Sequence, residues 1–452
     1  MVSKNLDLYR KAKTLAEVDN AVRFDVPLTP EHEFYTDFSD VRGDFEDKMI
    51  YKTLNVHPRT FSFNKEVNQA NKVLLFLAGM RGSGKTSELA KIAKKLHHKD
   101  CFFCVVCNLD DGVDSTEMEY MDILIFQLER LFEEADNVGL SLDNDIISAM
   151  YSWYGERVKE VNKVIKKEGG FEVEVKAETP SIFSFLGISA KLKANLAGSK
   201  ENADKIRTVF KNNFKDFALK FNEFVEHFNI VLRQEGIAQE LLFIVDGLEK
   251  TSTSDIRKKV VDEMSDRISN IKANTIFTLP IELMPQTQKL LKFSTVVSFP
   301  FVKIRERNGD VVQEAMKRFE DFVYKRIDAS LFDSAETVHK AILMGGGSPR
   351  ELLRVLEYAN MFADEDKDKI YLADLDKGIK KLAAQTSQFV SSKDLAKLKI
   401  LKEANEKGKQ VAFDEDWQDL LEKLIVLEYN DGTYKRVNPV VEASLLYKQD
   451  VG

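Results

Sequence analysis

Long apolar runs are missing from this 452-residue sequence. The longest, such as Val73 to Leu77 and Leu241 to Val245, are one strand long, far short of the roughly 20 residues of a membrane-spanning helix. The start, Met1-Val2-Ser3-Lys4-Asn5-Leu6-Asp7, has no apolar signal core. These absences predict a cytoplasmic protein with no membrane partner. A basic excess is missing as well. Charged residues make up 31% of the chain, but 74 acidic against 66 basic side chains leave a formal charge of -8, so nothing global draws it to nucleic acid. Cysteine is scarce. Cys101, Cys104 and Cys107 have the spacing C-x₂-C-x₂-C, which invites an iron–sulfur or zinc reading. Phe102, Phe103, Val105 and Val106 between them mark a buried strand, where a spacing of three sends neighbouring cysteines to opposite faces. With no fourth thiolate in the chain, no metal centre is expected there.

What is present is length for two or three domains and one informative motif. Val73-Leu74-Leu75-Phe76-Leu77 runs into Gly79-Met80-Arg81-Gly82-Ser83-Gly84-Lys85-Thr86, followed by Ser87 and a helical pattern from Thr86 to about His98. A strand, then G-x-x-x-x-G-K-T, then a helix is a phosphate-binding loop. Glycines let successive backbone N–H groups turn inward without a Cβ clash, and the helix aims its positive dipole end at the anion. Lys85 is placed to neutralise the β and γ phosphates and Thr86 to ligate Mg²⁺, so the expected cofactors are ATP and Mg²⁺.

Such a site needs a second carboxylate at a strand end. Leu241-Leu242-Phe243-Ile244-Val245-Asp246 supplies it, making Asp246 the second Mg²⁺ ligand. The next residue, where many such ATPases carry the glutamate that activates water, is Gly247, followed by Leu248 and Glu249. Glu249 is either the general base, swung inward by a turn at Gly247, or a surface acid paired with Lys250. Without a positioned water, the protein would hold ATP for long periods and act as a switch. Thr278 ends another apolar strand, Asn274 to Leu279, and is either a γ-phosphate contact or an ordinary strand threonine. With Phe102 to Asn108 and Thr295 to Phe301, the set makes a five-stranded parallel sheet alternating with helices, an α/β P-loop NTPase three-layer fold. Farther on, Gly345-Gly346-Gly347-Ser348-Pro349-Arg350 reads as a glycine hinge and a helix start, with Ser348 as N-cap and Pro349 in the first turn. Arg350 and Arg354 share one face, so one can reach a phosphate while the other is structural.

Together these pieces resemble the AAA+ and STAND-type P-loop ATPases. In that comparison Gly79, Gly84, Lys85 and Thr86 match Walker A, Asp246 Walker B, Thr278 sensor 1, and Arg350 the G-x-P-R sensor 2 of a helical lid. Asp40-Val41-Arg42-Gly43 looks like the segment that packs beside adenine in these proteins. Two departures matter: Gly247 stands where glutamate is expected, and no arginine lies between Arg267 and Arg305, where an AAA+ ring subunit would carry its trans-acting finger. Lys289 and Lys292 lie there, and lysine lacks the planar fork. The resemblance therefore points to a STAND-like switch, similar to ATPases of bacterial defence or conflict systems.

Asp246 lies 161 positions after Lys85, more than a helix, a strand and a helix require. Phe171 to Val175 and Ile188 to Leu192 read as a hairpin inserted there. A helix from about Asn202 to Gln234 follows, carrying Phe210, Phe214, Phe217, Phe221, Phe224 and Phe228 on one face. At about 1.5 Å per residue it is roughly 50 Å long. The stripe either packs on the helix from about Asp143 to Lys167 or partly meets another subunit or protein. Residues 305 to 385 read as a helical lid, with Val312, Ala315, Met316, Phe319, Phe322 and Val323 along one side. Past Ser387, a helix face of Trp417, Leu420, Leu421 and Leu424 precedes strands flanking Asn430-Asp431-Gly432-Thr433, which suggests a winged helix. The expected division is residues 1–60 as an N-terminal segment contributing to the adenine site, 61–304 as the ATPase core with an insertion at about 140–235, 305–385 as lid, and 386–452 as winged-helix-like unit. Residues 391 to 452 hold ten Lys or Arg against twelve Asp or Glu, which favours protein docking over DNA.

Three functions compete. One is a slowly hydrolysing ATP-dependent switch that controls homo-oligomerisation or a partner effector. Another is a DNA-binding initiator or transposition-regulator AAA+ ATPase. A third is a scaffold that holds nucleotide only structurally.

Overall fold

In the computed structural model, which describes residues 9–25, 27–43, 45–64, 72–140, 144–166, 187, 200–364, 368–412 and 414–452, five apolar runs form one sheet. They are β1 (Leu74–Gly79), β2 (Phe102–Asn108), β3 (Glu240–Asp246), β4 (Asn274–Pro280) and β5 (Thr295–Ser298), ordered β2-β3-β4-β1-β5 with every pairing parallel. β1 and β3 are apolar on both faces because both are covered. Phe76 and Ala78 enter the core on one side with Phe243 and Val245, while Leu75 and Leu77 enter the other with Leu242 and Ile244. This is the P-loop NTPase fold, with the carboxyl ends of β1, β3 and β4 along one edge. β5 pairs only to Ser298 and not to Phe301: Phe299 still donates to the Ala78 carbonyl at 2.6 Å, but Pro300 has no N–H to continue the ladder.

Two short helices, α1 (Leu15–Ala21) and α2 (Lys48–Thr53), precede the sheet, and α3 (Lys85–Leu96) follows the glycine loop. The long inserted stretch supplies α4 (Tyr120–Asn137), α5 (Asn144–Lys166), α6 (Lys200–Asn212) and α7 (Phe214–Gln234). α6 and α7 replace the single helix expected from about Asn202. At Asn213, φ of -105° and ψ of 19° leave the helical region, and the side-chain amide donates to the Val209 carbonyl at 2.8 Å. The phenylalanine stripe survives the break. All six rings are buried, against Trp153 and Tyr154 of α5, Phe132 of α4, and Phe103 and Phe243 of the sheet. The stripe therefore belongs to the intrachain core, and none of it is left for another subunit. The hairpin expected at Phe171–Val175 and Ile188–Leu192 lies outside the described residues.

α8 (Ser254–Arg267) connects β3 to β4. Beyond the sheet, α9 (Gln313–Arg326), α10 (Ala335–Met344), α11 (Pro349–Asn360) and α12 (Leu372–Thr386) share a second core with α1, in which Ala315, Met316, Phe319, Phe322 and Val323 are buried as their spacing predicts. The chain continues through α13 (Ser392–Glu406), α14 (Glu415–Glu422), the hairpin β6 (Val426–Tyr429) and β7 (Tyr434–Val437), then α15 (Pro439–Glu442) and α16 (Leu445–Asp450). Trp417, Leu420 and Leu421 join the same core as one face of the main sheet. Cys101, Cys104 and Cys107 are free and buried, with Cys107 on one side of the sheet and the other two opposite. Burial pushes the Cys101 thiol up to about 12. Among the described residues no group of 3 or more histidine, cysteine or acidic side chains could hold a metal ion, and no helix is long and apolar enough to cross a membrane.

Candidate functional site

The loop after β1 turns through two residues in the left-handed region, Gly82 at φ +83° and Gly84 at φ +95°, which only glycine adopts without strain. A Cβ on Gly82 would also stand 3.1 Å from Cβ of Arg350. α3 starts immediately at Lys85, so its unpaired N–H groups face the loop. Lys85 is buried, donating to the carbonyls of Gly79 at 2.9 Å and Met80 at 3.0 Å, and its Nζ lies 3.7 Å from Oε1 of Glu249. The Thr86 hydroxyl donates to Oδ2 of Asp246 at 2.6 Å. Thr278 accepts from the Gly247 amide at 3.1 Å and donates to Oε2 of Glu249 at 3.3 Å. Strand register explains the meeting: Leu77 of β1 lies beside Thr278 of β4, and β4 pairs in turn with β3, whose last residue is Asp246.

Burial and the neighbouring Glu249 charge raise the Asp246 carboxyl. Burial also pushes Glu249 up, but Lys85 and a backbone hydrogen bond outweigh it and hold the carboxyl low. Two buried oxygens here, Oδ1 of Asp246 and Oγ of Ser83, have no partner in the protein. Orphaned acceptors, a buried lysine and a glycine cradle are what a Mg²⁺-bound triphosphate would complete, with Thr86 and Asp246 as the residues to hold the metal.

Arg350 comes from the start of α11. Ser348 caps that helix by accepting from the Glu351 amide at 3.3 Å, and its hydroxyl lies 3.4 Å from the Gly82 carbonyl, so helix and loop touch directly. Arg350 is half-buried with its guanidinium 5.7 Å from the Phe24 ring; burial and the charge of Arg81 lower its pKa. Arg354 instead pairs with Glu351 at 3.1 Å. Arg81 is exposed and Ser87 half-buried at the mouth. Arg42 is buried, its guanidinium donating to the carbonyls of Ser83 and Pro300, both at 2.7 Å, and lying 4.0 Å from the Phe299 ring. Burial pulls it down to about 10. Its donors brace the back of the loop.

A cavity of about 400 Å³ joins these groups, within the range of small-molecule sites. Its polar lining includes Lys85, Thr86, Glu249 and Arg350; its aromatic lining includes Phe24, Phe34, Phe38 and Phe322, with Thr36 and Arg326 among them. Sequence reasoning missed this second set. No short-range pattern links the segment before α2 to the end of α9, and the stripe on α9 reads as core. It also missed contacts from the C-terminal hairpin: the Glu428 amide points at Sδ of Met80, 3.1 Å away, and the Tyr429 hydroxyl donates to the Gly346 carbonyl at 2.6 Å.

No protein-family model matches the sequence, and no curated protein matches it either. Among solved structures, the Walker-type ATPase PABY2304 of Pyrococcus abyssi is 12% identical with a TM-score of 0.38, the overlap covering 93% of this chain and 98% of that one. Cdc6p from Pyrobaculum aerophilum is 12% identical with a TM-score of 0.35, over 93% of this chain and 98% of that one. The Aeropyrum pernix Orc1 protein, in complex with DNA, is 10% identical with a TM-score of 0.33, over 92% and 94%. Likenesses at such identity and overlap assign no function to this chain. The site rests on its own geometry: a glycine cradle, a buried lysine, a threonine–aspartate pair and a threonine–glutamate pair at one edge of a parallel sheet.

Proposed function

We propose that the chain binds ATP with Mg²⁺, hydrolyses it slowly, and uses the bound nucleotide as a conformational switch in the manner of AAA+ and STAND ATPases. The observation that carries this reading is the convergence of Lys85, Thr86–Asp246 and Glu249–Thr278 around two orphaned oxygens. Lys85 and Arg350 would bind phosphate oxygens, and Thr86 and Asp246 would hold the metal. Glu249, oriented by Thr278, is the base for water; its second partner, Lys85, competes for the same carboxylate and slows turnover.

Support for a switch comes from the C-terminal contacts. The loop touches the hairpin through Met80, and the turn that starts the Arg350 helix is gripped through Gly346. Residues 305–385 act as a lid and 386–452 as a winged-helix-like reporter, so a shift of loop or lid repacks the hairpin and alters an oligomer or partner surface. A bacterial defence setting belongs to this proposal on sequence resemblance alone. Duplex binding by the hairpin has less support, because Lys435 is paired with Glu428 at 3.1 Å and Arg436 with Glu442 at 3.5 Å. Calorimetry with Mg²⁺-ATP tests the site: Lys85→Ala abolishes binding, and unchanged affinity in that variant would overturn the reading. Mass photometry with ADP, ATP and a non-hydrolysable analogue tests the switch, which requires the mass distribution to differ between nucleotides.

A further inference from the structure

Resting on the nucleotide reading, we propose that Arg326 and Thr36 read the base, Arg326 donating to a ring nitrogen of adenine and Thr36 accepting from its exocyclic amino group. Arg326 is only 4% exposed, and both its Nε and Oγ1 of Thr36 are buried without a partner. The two residues line the same cavity as the phosphate loop, among Phe24, Phe34 and Phe322. Arg326 is held firmly: NH1 donates to the Phe322 carbonyl at 2.9 Å, and the guanidinium lies 3.7 Å from the Phe322 ring and 5.1 Å from the Phe34 ring. What it lacks is an anion. Among the described residues no carboxylate pairs with it, and burial, opposed only by the Tyr9 phenol, pulls its pKa down to about 9.

A buried cation with a spare donor and no acid is costly, and its environment selects what can complete it. The ligand must be flat and apolar enough to sit among aromatic rings, yet present an acceptor at its edge. A purine does both; a free phosphate meets only the second condition. Two backbone acceptors beside the cavity are already engaged, Tyr35 by Lys325 at 2.9 Å and Asp37 by Arg318. Between them the Thr36 hydroxyl is buried and unpartnered, and it can accept from the amino group.

Calorimetry on the full chain with Mg²⁺ compares ATP, purine riboside triphosphate (which lacks the amino group) and inorganic tripolyphosphate (which lacks the nucleoside). Arg326→Met is expected to weaken both nucleotides roughly 10- to 100-fold while leaving tripolyphosphate unchanged. Thr36→Val is expected to weaken ATP roughly 2- to 10-fold and to level it with purine riboside triphosphate. Unchanged ATP affinity in both variants, or tripolyphosphate weakened as much as ATP, overturns the proposal. Retained tripolyphosphate binding shows that a variant is folded. If the wild-type chain binds none of the three, the nucleotide reading itself fails, a result distinct from failure of the base assignment.

Discussion

Arg257 on α8 ties the segment after β3 to the C-terminal helices, and replacing it with methionine tests whether the two act as one body. Its side chain is buried: NH1 donates to the Thr251 carbonyl at 3.1 Å, NH2 meets Glu422 of α14, and Nε lies 3.5 Å from Glu282. Methionine keeps the apolar stem and removes the charge. Taking one partner from a buried pair costs about 3–5 kcal/mol. Here the side chain of Glu422 is 37% exposed and screened, and Glu282 can protonate, so the expected loss at neutral pH is about 2–3 kcal/mol. The pH dependence has a definite sign. Burial raises Glu282 above its ordinary 4.5 and Arg257 holds it down, so the variant raises it further. A carboxyl raised in the fold binds more protons folded than unfolded, which makes stability fall as pH rises through that window. The penalty is therefore largest at neutral pH and shrinks as pH falls toward 4.5. A chain of this length need not unfold in one step, so a double-mutant cycle with Glu422→Gln is the cleaner measure, followed by urea and tryptophan fluorescence, since Trp417 sits on α14. A coupling of about 1 kcal/mol is expected. Additive variants together with a penalty independent of pH would refute the reasoning.

Other outcomes follow from the same geometry. Glu249→Gln should lower ATP turnover about 100-fold or more while leaving ATP affinity within a few-fold, as read by phosphate release and calorimetry. Thr86→Ala should weaken ATP binding only when Mg²⁺ is present, so that excess chelator makes it match the wild-type chain. Gly82→Ala should cost about 1–2 kcal/mol from its left-handed backbone and also weaken ATP binding, because the new methyl group displaces Arg350. Phe221→Ala, in the phenylalanine stripe against Phe243, should cost about 3–5 kcal/mol in urea unfolding.

The glycine loop could be read directly because its geometry is local. Gly82, Gly84, Lys85 and Thr86 are specified by backbone dihedral and helix start within one turn, and Ser348-Pro349 marks the start of the Arg350 helix by the same short-range rules. β1 and β3 were equally readable, since residues covered on both faces leave unbroken apolar runs, whereas β5 is exposed at Thr295 and ends at Ser298, short of the expected Phe301. Asn213 shows where local signals weaken. The heptad of phenylalanines continues through it, and one side-chain hydrogen bond to Val209 decides that the backbone does not.

Long-range partners left no such trace. Arg42 matches a segment that packs beside adenine in similar ATPases, yet its two donors brace Ser83 and Pro300, which lie near it only because β1 and β5 are neighbours. Arg326 ends an amphipathic helix, where a cation is expected for the helix dipole alone; its burial between Phe34 and Phe322 depends on how the N-terminal segment crosses α9. The same holds for the C-terminal hairpin. Its charge balance could be counted, but the pairing of Lys435 with Glu428 and Arg436 with Glu442 could not. Nor could the reach of Tyr429 to Gly346. A sequence states which charges and donors a fold must satisfy, and topology decides which of them are left over. In this chain Ser83 of the loop and Asp246 at the strand end beside it each keep an unsatisfied buried atom, and so do Thr36 and Arg326, which line the cavity next to the loop. Buried polar atoms left unpaired at a site make it less stable without a ligand than with one, and that deficit is what a bound nucleotide would turn into a conformational preference.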